Sequence, residues 1–310
     1  MIKESIVDAI NQNILLVLVG PTAVGKTDFS LELAKTFHTE IISADSRQFY
    51  HEMSIGTAKP DLAELQGIPH HFIDFLSIDQ PFNAYDYELE AVNLLEDLYR
   101  KNKLVILTGG SGLYVKAVCD GIDQMPDIPE NIRKQLKTEL KEKGLSILLD
   151  QLKTVDPEYF EQVDQQNPSR VIRGLELYLT SGIPYSKFRT GKKAIRNFRT
   201  IKIGLERGKQ DLYDRINRRM DEMIARGLFE EAESLFEKRN LTALKTVGYK
   251  EIFDFLEGKY DREEAVRLLK RNSRRYAKRQ MTWFKKDEEI KWFHPDKYEM
   301  VVRYIKQKIN

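Results

Sequence analysis

Residues 20–27 read Gly-Pro-Thr-Ala-Val-Gly-Lys-Thr, a full match to the phosphate-loop pattern G-x-x-x-x-G-K-[ST], and they directly follow the apolar run Ile14–Val19. An apolar strand that enters a glycine-rich turn and then a helix is a unit of a parallel sheet, covered on both faces. The glycines let backbone N–H groups turn inward around an anion, and the N-terminus of the helix adds its positive dipole. Lys26 supplies a point charge, and the Thr27 hydroxyl is placed to ligate Mg²⁺. Gly20, Pro21, Thr22, Ala23, Val24, Gly25, Lys26 and Thr27 are therefore expected to hold a di- or triphosphate, as in nucleotide-binding and ATP-binding proteins. The motif does not distinguish between these ligands.

The following segments keep an α/β rhythm. A helix is expected over 26–37 with Phe29, Leu33 and Phe37 on one face, then a strand over 40–43. A second helix is expected over 85–100 with Leu89, Val92, Leu95 and Leu98 inward, then a strand over 104–107. Beyond residue 120 the pattern turns helical, with expected helices at 132–143, 146–155 and 169–181, the last broken by Gly182-Ile-Pro184. Residues 201–205 read as a strand returning to the first sheet. The expected class is thus α/β, a phosphate-loop parallel sheet flanked by helices. Residues 1–124 and 199–310 form the catalytic core with a helical C-terminal part, and 125–198 form a helical insertion. The last helix is expected over 261–284, with Val266, Leu269, Tyr276 and Trp283 on its core face.

An ATPase usually carries an aspartate at the end of an apolar strand to hold Mg²⁺. Here the strand at 104–107 runs into Thr108-Gly109-Gly110-Ser111-Gly112 without a carboxylate, and the glycines there mark either a close backbone approach or a tight turn. The acid nearest a strand end is Asp45, which in a doubly wound fold would face the phosphate loop. A loop or N-cap carboxylate is the alternative. Gly56-Thr-Ala-Lys-Pro60 reads as a polar turn, and His70 and His71 lack partners at metal-ligand spacing. Arg215, Arg218 and Arg219 suit either phosphates or their neighbours Asp214, Asp221 and Glu222.

A composition of 41% hydrophobic and 32% charged residues excludes a wholly disordered chain. No apolar run reaches the ~20 residues that span a bilayer. Glu4 and Asp8 precede the first strand without a signal-peptide pattern, and Cys119 is the sole cysteine, so a cytoplasmic location without a membrane partner is expected. The net charge of +2 conceals a split: residues 1–125 hold nine basic and eighteen acidic groups, and the remainder carries a net +11. The stretch 265–286 contains nine basic residues and no acidic one, the footprint of either a polyanion partner or a solvated helix face.

Taken in order, GPTAVGKT (20–27), DSRQFY (45–50), GTAKP (56–60), PHHFID (69–74), GGSGLYVKA (109–117), NPSRVIRGLE (167–176), RINRRMDEMIARGLFEE (215–231), KTVGYKE (245–251) and RRYAKRQMTWF (274–284) resemble the tRNA isopentenyltransferase (dimethylallyltransferase) family of bacterial type. The family often has threonine where Ser111 stands, which keeps the hydroxyl. Cys119 alone cannot build the zinc finger of some eukaryotic relatives. The resemblance implies transfer of a dimethylallyl group from dimethylallyl diphosphate to N6 of adenosine 37 in the anticodon stem-loop of tRNA, with Mg²⁺. It implies Asp45 as general base, Thr22 hydrogen-bonded to the leaving oxygen, and Lys26 and Arg215 neutralising the departing diphosphate. Ser46, Arg47, Gln48 and Ser111 would line the nucleotide side with Asp45. Arg133, Asn167, Pro168, Ser169, Arg170, Arg274 and Arg275 are the expected tRNA contacts, on a monomer.

Overall fold

The computed structural model describes residues 13–309, so Glu4 and Asp8 lie outside the described residues. Six strands form one parallel sheet: β1 (Ile14–Val19), β2 (Ile41–Ser43), β3 (His70–His71), β4 (Leu104–Gly109), β5 (Arg199–Leu205) and β6 (Lys291–Phe293), in the spatial order β3-β2-β4-β1-β5-β6. β1 lies between β4 and β5, with Leu16 opposite Ile106 on one side and Ile201 on the other. Its unbroken apolar sequence follows from that central place, because successive side chains point to opposite faces and both faces are covered. Leu15, Val17 and Val19 join the core beneath Tyr87 and Leu95, while Ile14, Leu16 and Leu18 join the core beneath Phe29, Leu33 and Ile305.

The helix after β1 spans Lys26–Phe37, and the next spans Ala84–Leu98. Asn83 starts the latter with a reciprocal capping box to Asp86. Its inward face differs from the expectation. Tyr87, Ala91, Leu95 and Leu98 are buried, whereas Leu89 is 48% exposed and Val92 half-buried. Tyr87 sets the rotation of this helix: it is fully buried and its hydroxyl donates to the Ser43 carbonyl at 2.8 Å. A tyrosine with a partner for its hydroxyl outranks a leucine as a core anchor here.

By its contacts the chain divides into two compact units, Met1–Asp120 with Ile195–Asn310, and Gly121–Ala194. The second is all-helical: Glu130–Lys143, Leu145–Val155, the short Pro157–Gln162, and Pro168–Ser181, with a turn of helix at Tyr185–Phe188. It has its own core of Leu136, Leu148, Leu152, Tyr159, Val163, Val171, Ile172 and Leu175.

After β5 come helices Lys209–Ala225, Leu228–Ser234 and Tyr249–Leu256, then the long basic helix Arg262–Phe284, whose first turn is capped by Asp261. Its buried stripe is Ala265, Leu269, Ser273, Ala277, Gln280 and Phe284. Among the aromatics expected inward, Tyr276 is half-buried and Trp283 is 44% exposed, and Val266 only packs at the edge of the core. Leu269 is buried as expected, and Ala265, Ser273 and Ala277 let the helix pack closely beside it, with Tyr276 and Trp283 on the flanks. Strand β6 and the helix Tyr298–Ile309 follow; both escaped the sequence reading.

Candidate active site

The phosphate loop and the strand ends beside it enclose a cavity of about 940 Å³. Gly25 precedes the helix at φ 107°, in the left-handed region where a glycine costs least. The loop carbonyls are held by cations. Lys26 Nζ donates to Gly20 O at 3.0 Å and Pro21 O at 2.9 Å, Arg215 Nε to Ala23 O at 2.8 Å, and Arg207 Nε to Val24 O at 3.0 Å. With the carbonyls turned outward, the free N–H groups of the first helical turn are left for an anion. Burial pushes the Lys26 ammonium down to about 8, against the pull of Asp45 and with a smaller push from Arg219.

Asp45 lines the same cavity, as expected of a residue just past β2. One of its oxygens accepts the Arg47 N–H at 3.0 Å, so the acid also serves its own turn. Four residues further along the same turn, Phe49 is a fully buried ring with Phe75, Phe82 and Tyr87 at 5.5 Å. Ser46 and Ser111 join the two strand ends: the Ser46 N–H donates to Ser111 Oγ at 3.1 Å, and their hydroxyls lie 3.2 Å apart. The Ser111 N–H reaches back to Ala44 O at 3.2 Å, so the glycine-rich segment after β4 is a close backbone approach. Gln48 donates both to Thr57 O and to Ala58 O at 3.2 Å, which pins the Gly56–Pro60 turn as a wall of the cavity.

Four further residues act in or beside the site: the sequence offered Arg219 to phosphates or to acidic neighbours and Tyr276 to the core, and gave Gln280 and Glu231 no role. Arg219 Nη1 donates to Thr22 Oγ1 at 3.3 Å, and burial holds its guanidinium below the ordinary arginine value. Gln280 accepts the Thr22 N–H at 2.9 Å. Tyr276 lines the cavity, its phenol pushed up to about 12 by burial. Glu231 accepts the N–H groups of Ser54, Ile55 and Gly56 at 3.0, 2.7 and 2.8 Å, and the Tyr249 hydroxyl at 2.6 Å. The arginine run at 215–219 was the signal for Arg219, and helical spacing pointed Tyr276 to the core instead; Gln280 and Glu231 gave no signal. His70 lines the cavity with Nδ1 on Ile68 O at 2.8 Å, while His71 pairs with Glu40.

Thr27 is exposed at the cavity, and its hydroxyl makes no hydrogen bond among the described residues. No group of three or more His, Cys, Asp or Glu among the described residues could hold a metal. A single hard oxygen donor of this kind fits a Mg²⁺ held mainly by phosphate oxygens and water.

Of the expected tRNA contacts, Arg275 is exposed on the basic helix, but Arg274 is committed to Asn217 at 2.5 Å and lies over the Tyr213 ring. In the helical unit Arg133, Ser169 and Arg170 are exposed. Asn167 is the N-cap of helix Pro168–Ser181, its side chain accepting the Arg170 N–H at 3.3 Å, and Pro168 is the first helical residue. Their roles are thus local in the first instance.

The sequence model of the IPP transferase family matches residues 48–287. The chain belongs to that family. It is a prenyltransferase of the bacterial tRNA dimethylallyltransferase type. The tRNA dimethylallyltransferase of Cytophaga hutchinsonii is 50% identical over 95% of this chain and 97% of its own length, and that of Christiangramia forsetii is 48% identical over 96% and 99%. The crystal structure of the full-length tRNA isopentenylpyrophosphate transferase from Bacillus halodurans aligns with TM-score 0.71 and 38% identity, covering 96% of this chain and 97% of that one. A eukaryotic dimethylallyltransferase captured acting on tRNA aligns with TM-score 0.76 and 26% identity over 91% of this chain and 74% of that one. Among the described residues no helix is long and apolar enough to cross a membrane.

Proposed function

We propose that this enzyme transfers the dimethylallyl group of dimethylallyl diphosphate to N6 of adenosine 37 in tRNA, releasing diphosphate. The observation that carries the reading is one cavity holding both a phosphate loop and, outside that loop, a carboxylate at a strand end. The loop N–H groups, Lys26, Arg215 and Arg219 bind the diphosphate, and Met220, Met223 and Val247 offer apolar wall to the prenyl chain. The target adenine leaves its stack to enter the cavity against Arg47 and Gln48, with the hydrogen-bonded pair Ser46 and Ser111 beside them.

An exocyclic amine is a weak nucleophile because its lone pair is delocalised into the ring. As N6 bonds to C1 of the prenyl group, the C1–O bond breaks and its electron pair leaves with the diphosphate. Asp45 accepts the N6 proton, and Thr22 donates its hydroxyl to the leaving oxygen. Mg²⁺, held by Thr27 together with diphosphate oxygens and water, would supply further neutralisation of the leaving group. Exposed cations, Arg275 on the basic helix and Arg133 and Arg170 in the helical unit, serve as phosphate contacts for the anticodon stem-loop. The enzyme would act as a cytoplasmic monomer.

Mass spectrometry of tRNA after incubation with enzyme, Mg²⁺ and dimethylallyl diphosphate tests the reading. One dimethylallyl group on adenosine 37 is the expected result. Unmodified tRNA together with phosphoryl transfer from ATP would replace it with a kinase.

A further inference from the structure

The longest-range contact at the phosphate loop comes from the basic helix. Gln280 is 6% exposed, and both ends of its carboxamide are engaged. The oxygen accepts the Thr22 N–H at 2.9 Å, and the nitrogen donates to Gly110 O at 2.9 Å. Only this orientation of the amide satisfies both partners, since the flipped form sets NH₂ against N–H and C=O against C=O. Gly110 is shaped to the contact, because a Cβ there would lie 2.2 Å from the Gln280 nitrogen. The same helix exposes Arg275, Lys278 and Arg279 on its other flank.

Thr22 is thereby held at two points, its backbone by Gln280 and its side-chain oxygen by Arg219. A hydroxyl whose oxygen accepts from Arg219 has its own proton free to donate into the cavity. We propose that Gln280 is a positioning residue for the transfer reaction: its carboxamide fixes Thr22 so that the hydroxyl meets the leaving oxygen. The inference rests on the transferase reading above. Without this tether the Thr22 amide would be free to turn toward the phosphate, and the hydroxyl would lose its aim. A misplacement of ~1 Å can cost about 10²-fold in rate.

The test is a double-mutant cycle on the full chain, with single-turnover prenyl transfer as the readout. Gln280→Met keeps the length and removes both hydrogen bonds; Gln280→Glu keeps an acceptor for Thr22 and removes the donor to Gly110. Thr22→Val removes the hydroxyl. Gln280→Met is expected to lower kcat about 10- to 100-fold, with dimethylallyl diphosphate and tRNA affinities within about threefold. Gln280→Glu should retain more of the rate. In the Thr22→Val background, Gln280→Met should cost little further. Full additivity of the two losses, or an undiminished kcat in Gln280→Met, overturns the inference. Should Gln280→Met fail to fold, the cycle is run with Gln280→Leu, which also removes both hydrogen bonds, and additivity there is equally decisive. Absence of transfer by the unaltered enzyme would instead sink the underlying reading, and it shows before any variant is made.

Discussion

In the sheet unit the cations that matter are half-buried and committed: Lys26, Arg207 and Arg215 each hold loop carbonyls, and Arg219 holds a threonine hydroxyl. In the helical unit Arg133 and Arg170 stand in solvent, over a core that contains none of them. A charge fixed by several partners in a poorly solvated cavity acts at an atom. A charge on a flexible exposed stem acts as part of a field that salt screens. The two units should therefore answer mutation differently, one in a step of the reaction and the other in stability and salt dependence.

The largest expected effect is at Asp45. Asp45→Asn is nearly isosteric but a far poorer base, so single-turnover transfer should slow about 10² to 10⁴-fold while both substrate affinities stay within a few-fold. If the variant binds poorly but reacts normally when saturated, Asp45 belongs to the turn with Arg47 and not to the chemistry. Next is Leu152→Ala, in the centre of the helical core. It should destabilise that unit by about 2–5 kcal/mol. Calorimetry should show a lowered transition, and diphosphate affinity should be retained. Loss of diphosphate binding would break the independence of the two units.

Lys26→Ala should weaken diphosphate binding on the order of 10–100-fold, the usual loss for a charged hydrogen bond. Because burial holds the free ammonium near 8, binding by the unaltered enzyme should weaken as pH rises through that value and take up a proton above it. Calorimetry in buffers of different ionisation enthalpy would detect the uptake, and Lys26→Ala should abolish it. The smallest effect is on the basic helix. Arg275→Ala should lower the salt slope of tRNA binding by roughly 1. Arg274→Ala, which first breaks a bond to Asn217, should change that slope less. Equal slopes for the two would erase the distinction between committed and solvated cations.

The central fold was readable because its cause is local in sequence. An apolar run followed by a phosphate loop has few ways to pack, and β1 and its helix match the expected residues. Reading failed where packing outranks composition. Leu89 lost its place to Tyr87, and the basic helix buried Leu269 as expected but turned Ala265, Ser273, Ala277, Gln280 and Phe284 inward instead of Tyr276 and Trp283. Strand β6 is three residues long and gains its identity from β5, where Leu205 pairs with Phe293. Within the site, Thr22, Lys26 and Asp45 followed from motif and strand-end position. Gln280 and Glu231 did not, because each acts on backbone groups, and a backbone partner far away in the chain leaves no pattern in sequence.

The order of the sheet has a consequence for how the enzyme comes into being. Among the described residues β1 is the first strand synthesised, yet it sits between β4 and β5, so one of its edges is unpaired until residues 199–205 have emerged. Thr22 then waits for Gln280, 258 positions later. Chains grow at about 5–20 residues per second, and long-range parallel pairing is intrinsically slow. A nascent chain thus carries the phosphate-loop motif long before it carries the loop's geometry. The reaction site is assembled only once residue 280 has been made, after the helical unit between β4 and β5.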